Sequence, residues 1–320
     1  MRIKKAGYVR IVVTGGAGFI GSHVVDRMVS AGHEVSVVDN LTNGRTDNVA
    51  RGVTFHQVDI QDRDALDSIF SQERPELICH LAAQINIRRS ILDPVHDAMT
   101  NVVGSINVIE SGLKHGMTNF LYSNSGGAIY GDVELKSLPV SEDAAIAPLS
   151  PYGASKYAVE SYLGQYSRVS DFSFTSLRLP NVYGPRQDPS GEGGVIAIFI
   201  GNMIEGNAIT VFGDGSSKRD YTHVSDVADA FLKCASLPGH NVLNIGTGLG
   251  TTVLEIADQL GQMLGYEKPI QYGPARVGEV AESRLDAARA NRVIGWVPTF
   301  SVHDGLLHTC NYLSSLKHTY

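Results

Sequence analysis

A short apolar strand pattern, Tyr8 to Val13, runs straight into TGGAGFIG, and a helical pattern, Gly18 to Ala31, begins before those glycines end. Gly15, Gly18 and Gly21 fall at G-x-x-G-x-x-G spacing. In a strand–loop–helix unit each has its own task. The first permits a tight turn, the second lets backbone approach a pyrophosphate, and the third lets the helix pack against the strand. The helix N-terminus adds free N–H groups and the positive end of a dipole. A second strand pattern, Glu34 to Asp39, ends on a carboxylate 18 residues beyond Gly21, near the offset of about 20 expected of a ribose-binding acid. The motif therefore predicts a dinucleotide site. Asp39 is followed by Asn40 and Leu41 rather than by a cation, and a carboxylate repels a 2′-phosphate, so NAD is expected in preference to NADP. Arg45 is the nearby group that argues otherwise. Asp59, followed by Ile60, closes a third strand pattern, Val53 to Val58, and reads either as an acceptor for the adenine amino group or as a turn former.

The rest of the first half keeps alternating. Asp64 to Ser71 reads as helix, Leu77 to Leu81 as strand, Pro94 to His115 as a long helix, Asn119 to Ser123 as strand, Pro151 to Val169 as helix and Phe172 to Arg178 as strand. Strands alternating with helices predict an α/β fold, a doubly wound parallel sheet of the Rossmann type. After Pro180 the pattern loosens, with a glycine-rich loop over Pro185 to Gly194 and helical patterns at Leu254 to Leu264 and Leu285 to Ile294. The expected division is a dinucleotide-binding domain over 1–180 and a smaller substrate lobe over 181–320, with some chain crossing back to the sheet.

Composition removes several classes. The 320 residues carry a formal net charge of −7, which gives no general attraction to nucleic acid or to an acidic membrane. No apolar run approaches the length of a membrane span, and the apolar stretch at the start is too short for a signal peptide. Three widely spaced cysteines, Cys79, Cys234 and Cys310, argue for a reducing compartment, and the expected location is cytoplasmic. The eleven histidines are scattered, with no H-E-x-x-H or paired-cysteine spacing, so no metal is expected. No G-x-S-x-G elbow points to a serine hydrolase.

The reactive candidates are Tyr152 and Lys156 in SPYGASK, at i and i+4 on one helix face. A phenol ionises near pH 10, so a base active near neutrality needs about three units, or about 4 kcal/mol, of help. One cation at about 4 Å gives about 1 kcal/mol in bulk water and about 4 kcal/mol at an effective dielectric of 20. Lys156 can therefore lower the phenol enough in a partly dehydrated cleft, or together with a positive nicotinamide ring. Ser125 in YSNSGGAIYG precedes Tyr152 by 27 residues, at a strand end where a hydroxyl can bond both phenol and substrate; Ser123 is the competing hydroxyl.

TGGAGFIG, HLAAQ, the Ser125 strand end, YGASK, NVYGPR and KRDYTHV together resemble, in order and over roughly Arg10 to Leu313, the extended short-chain dehydrogenase/reductases of the NAD-dependent epimerase/dehydratase family. HLAAQINIRRSILDP and NVYGPRQDPSGEGGVIAIF look most like the bacterial UDP-glucose 4-epimerases of that family. The resemblance implies that Tyr152 takes the proton of a sugar 4-hydroxyl, that Lys156 lowers the phenol and holds nicotinamide ribose, and that Ser125 serves the hydroxyl. It also implies cofactor contacts at Phe19, Ile20, Asn40, Asn43, Ile60, Leu81, Ser123 and Pro180. Ala82, Ala83 and Gln84 match the loop over the cofactor phosphates, Gln84 standing where relatives often carry Lys, and Asn101 matches an asparagine on the nicotinamide side. For a UDP-sugar, the resemblance implies Asn181, Arg219, Arg276 and Glu279 toward the diphosphate and sugar, and Val195, Val211 and Phe212 toward uracil and ribose. Ser283 is implied at the sugar 2-substituent, and a homodimer through the helices Pro94 to His115 and Pro151 to Val169.

One absence separates members of the family. Similar dehydratases carry an Asp-Glu pair after the Ser/Thr, and similar decarboxylases have Glu close by, whereas Ser125 is followed by Gly126, Gly127 and Ala128. Redox inversion at carbon 4 of a UDP-hexose, N-acetylated sugars included, is therefore the expected activity. The alternatives are epimerisation or decarboxylation of UDP-glucuronate, and a non-catalytic NAD-binding regulator.

Overall fold

The first strand, β1 (Arg10–Thr14), buries Ile11, Val12 and Val13 in succession, the mark of a strand covered on both faces. The structure, a computed structural model, describes residues 9–190, 194–275 and 280–317. Helix α1 (Phe19–Ser30) follows the glycine loop, then come β2 (Glu34–Asp39), β3 (Thr54–Gln57), α2 (Arg63–Glu73) and β4 (Leu77–His80). Next are α3 (Ile87–Leu92), α4 (Pro94–Ala98), a widened π-type turn at Met99–Val103, α5 (Gly104–Lys114) and β5 (Asn119–Ser125). A short helix α6 (Gly126–Ile129), the long α7 (Pro151–Tyr166) and β6 (Ser173–Leu179) complete this stretch. The remaining elements are β7 (Asn181–Tyr183), α8 (Val195–Glu205), β8 (Thr210–Phe212), β9 (Lys218–Arg219), β10 (Tyr221–His223), α9 (Val224–Cys234), β11 (His240–Asn244), β12 (Thr251–Thr252), α10 (Val253–Leu264), β13 (Gln271–Gly273), β14 (Glu282–Ser283), α11 (Ala288–Ile294) and α12 (Val302–Lys317).

Seven strands form one sheet in the order β11-β6-β5-β4-β1-β2-β3. The pairings from β3 across to β5 are parallel, as the alternation of strands and helices predicts. Strand order reverses between β1 and β4, so the loops leaving these two strands flank the switch point where α/β sheets take their ligands. Val12, Ile78 and Phe120 from the sheet pack with Val108 and Ile109 of α5 and with Val159 and Leu163 of α7.

The chain divides into two compact units. One comprises residues up to Ile129 with Ser150–Arg178 and Ala228–Leu243; the other comprises Tyr130–Leu149, Leu179–Val227 and the chain from Asn244. The second unit has its own core, in which α8, α10 and α12 supply Phe199, Ile200, Ile256, Leu260, Leu306 and Cys310. Its short strands pair as β10-β7, β13-β8 and β12-β9-β14.

Several expected boundaries move, among them the end of the helix expected over Pro151 to Val169, which stops at Tyr166. The helix expected over Pro94 to His115 is interrupted by the widened turn, β5 runs two residues further to include Ser125, and the helix expected from Leu285 begins at Ala288. Leu285 is withheld from that helix by a parallel bridge to Val140. All three cysteines are free and buried. Among the described residues, no helix is long and apolar enough to cross a membrane, and no three His, Cys, Asp or Glu side chains cluster as a metal site.

Candidate active site

The glycine loop is set by close backbone approach. Gly15 has φ +71°, in the left-handed region, and its N–H donates to the Val38 carbonyl at 2.8 Å. A Cβ on Gly15 would lie 2.6 Å from the Ala82 nitrogen, and one on Gly21 would lie 2.0 Å from the Gly15 carbonyl oxygen. Side chains at these positions would push α1 and the loop after β4 away from β1. Gly18 caps α1 with no side-chain acceptor, which leaves the positive helix end bare for an anion.

Asp39, at the end of β2, is 7% exposed. Its Oδ2 accepts from the Ala17 N–H at 3.0 Å and its Oδ1 from the Leu41 N–H at 2.8 Å. Burial raises its carboxyl above the usual range, and these two backbone N–H groups pull it back. Each oxygen keeps a further lone pair for a ribose hydroxyl. Bare helix terminus, close glycine loop and terminal carboxylate fit NAD. Arg45 is exposed and pairs with Asp47 at 3.5 Å. Asn40 donates to Asp59 Oδ2 at 2.8 Å, while Asp59 Oδ1 accepts from the Gln61 N–H, so Asp59 also forms the turn. Asn43 is exposed, and Phe19, Ile20, Leu81, Ala82, Ala83 and Pro180 are partly exposed. Ile60 is buried in the core, so its side chain serves packing.

Helix α7 starts cleanly. Ser150 caps it by accepting from the Gly153 N–H at 3.1 Å, and Pro151 occupies its first turn. Tyr152 lies one turn ahead of Lys156, and the Ser125 side chain lies on the phenol's side, where it favours the ionised form. Ser123 lies two residues back on β5, partly buried. Lys156 is buried, with Nζ 4.4 Å from the centroid of the Tyr122 ring. Burial pushes the phenol up to about 12, with Asp97 adding to the rise and Ser125 opposing it. Burial also brings the Lys156 ammonium down to about 7, with Asp97 opposing that fall. The lowered phenol expected from a neighbouring lysine is thus not produced by the chain's own groups, because the dehydration that strengthens their attraction also penalises both charged forms.

A polar network lies behind this pair. Asp97 of α4 is 1% exposed, and its Oδ1 accepts from Gln84 Nε2 at 2.8 Å and from Asn101 Nδ2 at 3.2 Å. Asn101 also accepts the Gln84 N–H at 2.8 Å and lies 3.1 Å from the Ser155 hydroxyl. Both amides are therefore committed to protein partners. Beneath the ring, His80 contacts Thr14 at 2.6 Å and Ser105 at 2.8 Å; burial brings its imidazole down to about 3, so it is neutral. On the other side of β5, Asn124 accepts the Ser125 N–H at 2.8 Å and donates to Glu160, which is paired with Arg178. Asp97, Tyr122, Asn124, Glu160 and Arg178 were not among the residues singled out from the sequence. Their role depends on burial, which only the fold reveals.

The second unit holds the residues expected toward UDP-sugar. Asn181 opens β7 with an exposed side chain. Val195 opens α8, and Phe212 ends β8 with its ring 41% exposed. Val211 is buried in the same core cluster as Ile200 and Ile209, so its side chain serves packing, while alternation along β8 turns Phe212 outward. Arg219 and Ser283 are partners in the β9–β14 ladder. Asp220, buried, holds this region together by accepting from Thr247, Gly248 and Leu285 N–H groups, and its own N–H donates to the Ser283 carbonyl at 3.0 Å. Arg276 and Glu279 lie outside the described residues.

A dinucleotide loop at the switch point, with a serine–tyrosine–lysine set on the adjoining strand and helix, defines a short-chain dehydrogenase/reductase of the extended type. The chain belongs to the NAD dependent epimerase/dehydratase family, whose profile matches residues 11–246. It is 40% identical over 309 residues to the UDP-glucose 4-epimerase of Mycolicibacterium smegmatis, covering 95% of this chain and 98% of that one. The crystal structure of the Thermotoga maritima UDP-glucose 4-epimerase with UDP-glucose is 44% identical, with a TM-score of 0.94 over 96% of this chain and 99% of that one. The Thermus thermophilus UDP-glucose 4-epimerase in complex with NAD is 38% identical, with a TM-score of 0.91 over 95% and 99%.

Proposed function

We propose that this chain is an NAD-dependent 4-epimerase of UDP-hexoses. The observation that carries the reading is the placement of Ser125 at the end of β5 beside the Tyr152 phenol, with Lys156 buried one turn further along α7, in a chain of this family that has no carboxylate directly after Ser125. Bound NAD supplies the hydride acceptor and donor for carbon 4 and, when oxidised, a positive ring charge that favours the Tyr152 phenolate.

Tyr152 takes the proton of the sugar 4-hydroxyl and returns it at the end of the cycle, so no net proton is released. Ser125 holds the hydroxyl and the phenol in line. Lys156 supplies positive charge beside the phenol and a donor for ribose. Inversion requires the 4-keto sugar to present its other face while its diphosphate stays held. That holding is assigned to Arg219 and Asn181, and to Arg276 beyond the described residues, since guanidinium forks match phosphate oxygens; Glu279, also beyond them, is assigned to the substrate without a diphosphate role. Val195 and Phe212 are assigned to the nucleoside and Ser283 to the sugar 2-substituent. Gly15, Gly18, Gly21, Asp39, Asn40, Asp59 and the loop Leu81 to Ala83 are assigned to NAD, and the cytoplasm is the proposed location.

A homodimer is also proposed. Ile87, Ile91, Val95, Met99 and Val103 recur every four residues along α3, α4 and the widened turn, and are 38% to 71% exposed. A stripe of that regularity on water favours burial against a second copy. Sedimentation at increasing concentration tests it, and a persistent monomer removes it.

The activity is tested by incubating the protein with UDP-glucose, UDP-N-acetylglucosamine and UDP-glucuronate and resolving the products. Conversion of UDP-glucose to UDP-galactose is expected. Tyr152→Phe keeps ring volume and loses the ionisable hydroxyl, and should slow turnover about 100- to 10,000-fold while UDP-sugar binding persists. A fully active variant removes the proposed chemistry, and conversion of UDP-glucuronate alone replaces the substrate.

A further inference from the structure

Asp97 is a buried carboxylate that is only half used. Two amides hold its Oδ1, while its Oδ2 is enclosed with no hydrogen-bond partner among the described residues. A buried carboxylate oxygen without a donor is costly, so its surroundings have to supply positive charge in another way. Asp97 acts electrostatically on Lys156, Tyr152 and Tyr122. It is also tied mechanically to the lysine helix, because Asn101, one turn on, bonds both Asp97 and Ser155.

The other groups around Lys156 cannot take this part. From β5 it meets the neutral ring of Tyr122, and from β4 His80 is neutral. On α7 itself, Tyr152 is the phenol to be ionised and Glu160 is committed to Arg178. On α5, Glu110 is engaged by the Tyr166 hydroxyl, and Arg88 and Arg89 of α3 are exposed. Ser90 of α3 binds the Tyr152 N–H and carries no charge.

We propose that Asp97 is the counter-charge of the buried Lys156, a positioning residue that sets the pH window in which the Tyr152–Lys156 pair works. The inference rests on the epimerase reading of this site. A fixed negative charge favours the protonated form of every group near it. It favours the cationic form of the lysine, and it also makes the phenol harder to ionise. Without it, both groups lose their protons at lower pH, and the window is displaced as a whole rather than narrowed from one side.

Asp97→Asn is the discriminating variant, since the amide oxygen still accepts from Gln84 and Asn101 while the charge is gone. Two measurements are made on it: the pH profile of kcat/KM for UDP-sugar epimerisation, and the titration of the Tyr152 phenol followed by carbon-13 NMR of labelled tyrosine, with Tyr152→Phe to assign the resonance. Both limbs of the profile and the phenol titration should move to lower pH by about one unit. Asp97→Glu, which restores the charge, should return both limbs toward their original positions even where the rate stays low. Gln84→Met removes one of the same hydrogen bonds without removing charge, and should leave the limbs in place. A slower Asp97→Asn enzyme with an unmoved profile and unmoved phenol overturns the proposal and leaves Asp97 as a prop for Asn101, as does a displaced profile in Gln84→Met. Wild-type protein inactive on every UDP-sugar would defeat the epimerase reading instead, and the phenol titration would still report whether Asp97 acts on Tyr152.

Discussion

Glu160 and Arg178 form a bidentate ion pair, with Nη2 2.5 Å from Oε1 and Nε 3.1 Å from Oε2, and their side chains are 8% and 5% exposed. Glu160 Oε2 also accepts from Asn124 at 2.8 Å and from Ser176 at 2.6 Å, and Asn124 in turn holds the Ser125 N–H. The pair therefore connects the helix that carries Tyr152 and Lys156 to the strand end that carries Ser125. Arg178→Met should cost about 3–5 kcal/mol, because it strands a buried carboxylate. Adding Glu160→Leu should recover most of that stability without recovering turnover, since Asn124 then keeps only its longer 3.3 Å bond to Ser176 as an anchor. Urea unfolding alongside initial rates checks both halves, and a double variant with full activity would sever the connection to Ser125.

Lys156 makes a separate demand on the fold. Its ammonium loses its proton near pH 7 when folded, against an ordinary value of 10.5. The unfolded chain binds more protons between these values, so stability rises with pH across the window and the destabilisation is complete below about pH 7. Lys156→Met should be inactive yet more stable than the parent, with the advantage large near pH 6 and fading toward about pH 10. Thermal melts across that range give the answer. A constant difference at all pH values would mean that the lysine is not desolvated.

Asp39→Ala should weaken NAD binding, because ribose hydroxyls lose their acceptor. It also frees the Ala17 and Leu41 N–H groups that the carboxylate holds, so the glycine loop should loosen as well. A cofactor restored in every cycle need not leave, so the purified protein should carry NAD. Nucleotide released on denaturation, identified against NADP, tests the assignment, and mainly NADP would refute it.

Ser283 sits beside Arg219 in the β9–β14 ladder, and its assignment to the sugar's 2-substituent makes substrate breadth a test of it. On that assignment, a small side chain leaves room for an N-acetyl group on the sugar. Ser283→Tyr should suppress the acetylated substrate selectively, by about 1–3 kcal/mol of overpacking, or about 5- to 150-fold. The readout is the ratio of specificity constants for UDP-glucose and UDP-N-acetylglucosamine, and an unchanged ratio takes Ser283 out of the sugar pocket.

The glycine loop, Asp39, Ser125, Tyr152 and Lys156 were legible in the sequence because each is tied to a local pattern: a strand running into glycines, a strand ending on an acid, a helix opening at Ser-Pro. What surrounds them was not. Glu160 and Arg178 are 18 residues apart, and nothing in either neighbourhood foretells that both are buried. Asp97 sits in a stretch that reads as an ordinary helix surface, and becomes interior only when α4 packs against α7. Helix α8 escaped notice for a different reason: VIAIFIGNMIE is apolar nearly all round, so a 3.6-residue period has little contrast. Val211 and Phe212 illustrate the finest grain, since one residue along a strand separates core from solvent.

The widened turn at Met99–Val103 works as a gear between two halves of one rod. A residue added to a helical turn rotates everything beyond it by about 100°. Ahead of the turn, the rod shows its apolar stripe to water; beyond it, Gly104, Ser105, Val108 and Ile109 face inward. Asn101 lies inside the turn, and its carbonyl accepts the Ser105 hydroxyl at 2.5 Å, which joins the turn to His80 beneath the lysine's aromatic neighbour. Removing one residue would make the helix regular and at the same time swing either the outward stripe or the catalytic props off their marks. Outer face and inner chemistry are thus meshed at a single turn, and neither can be re-aimed alone.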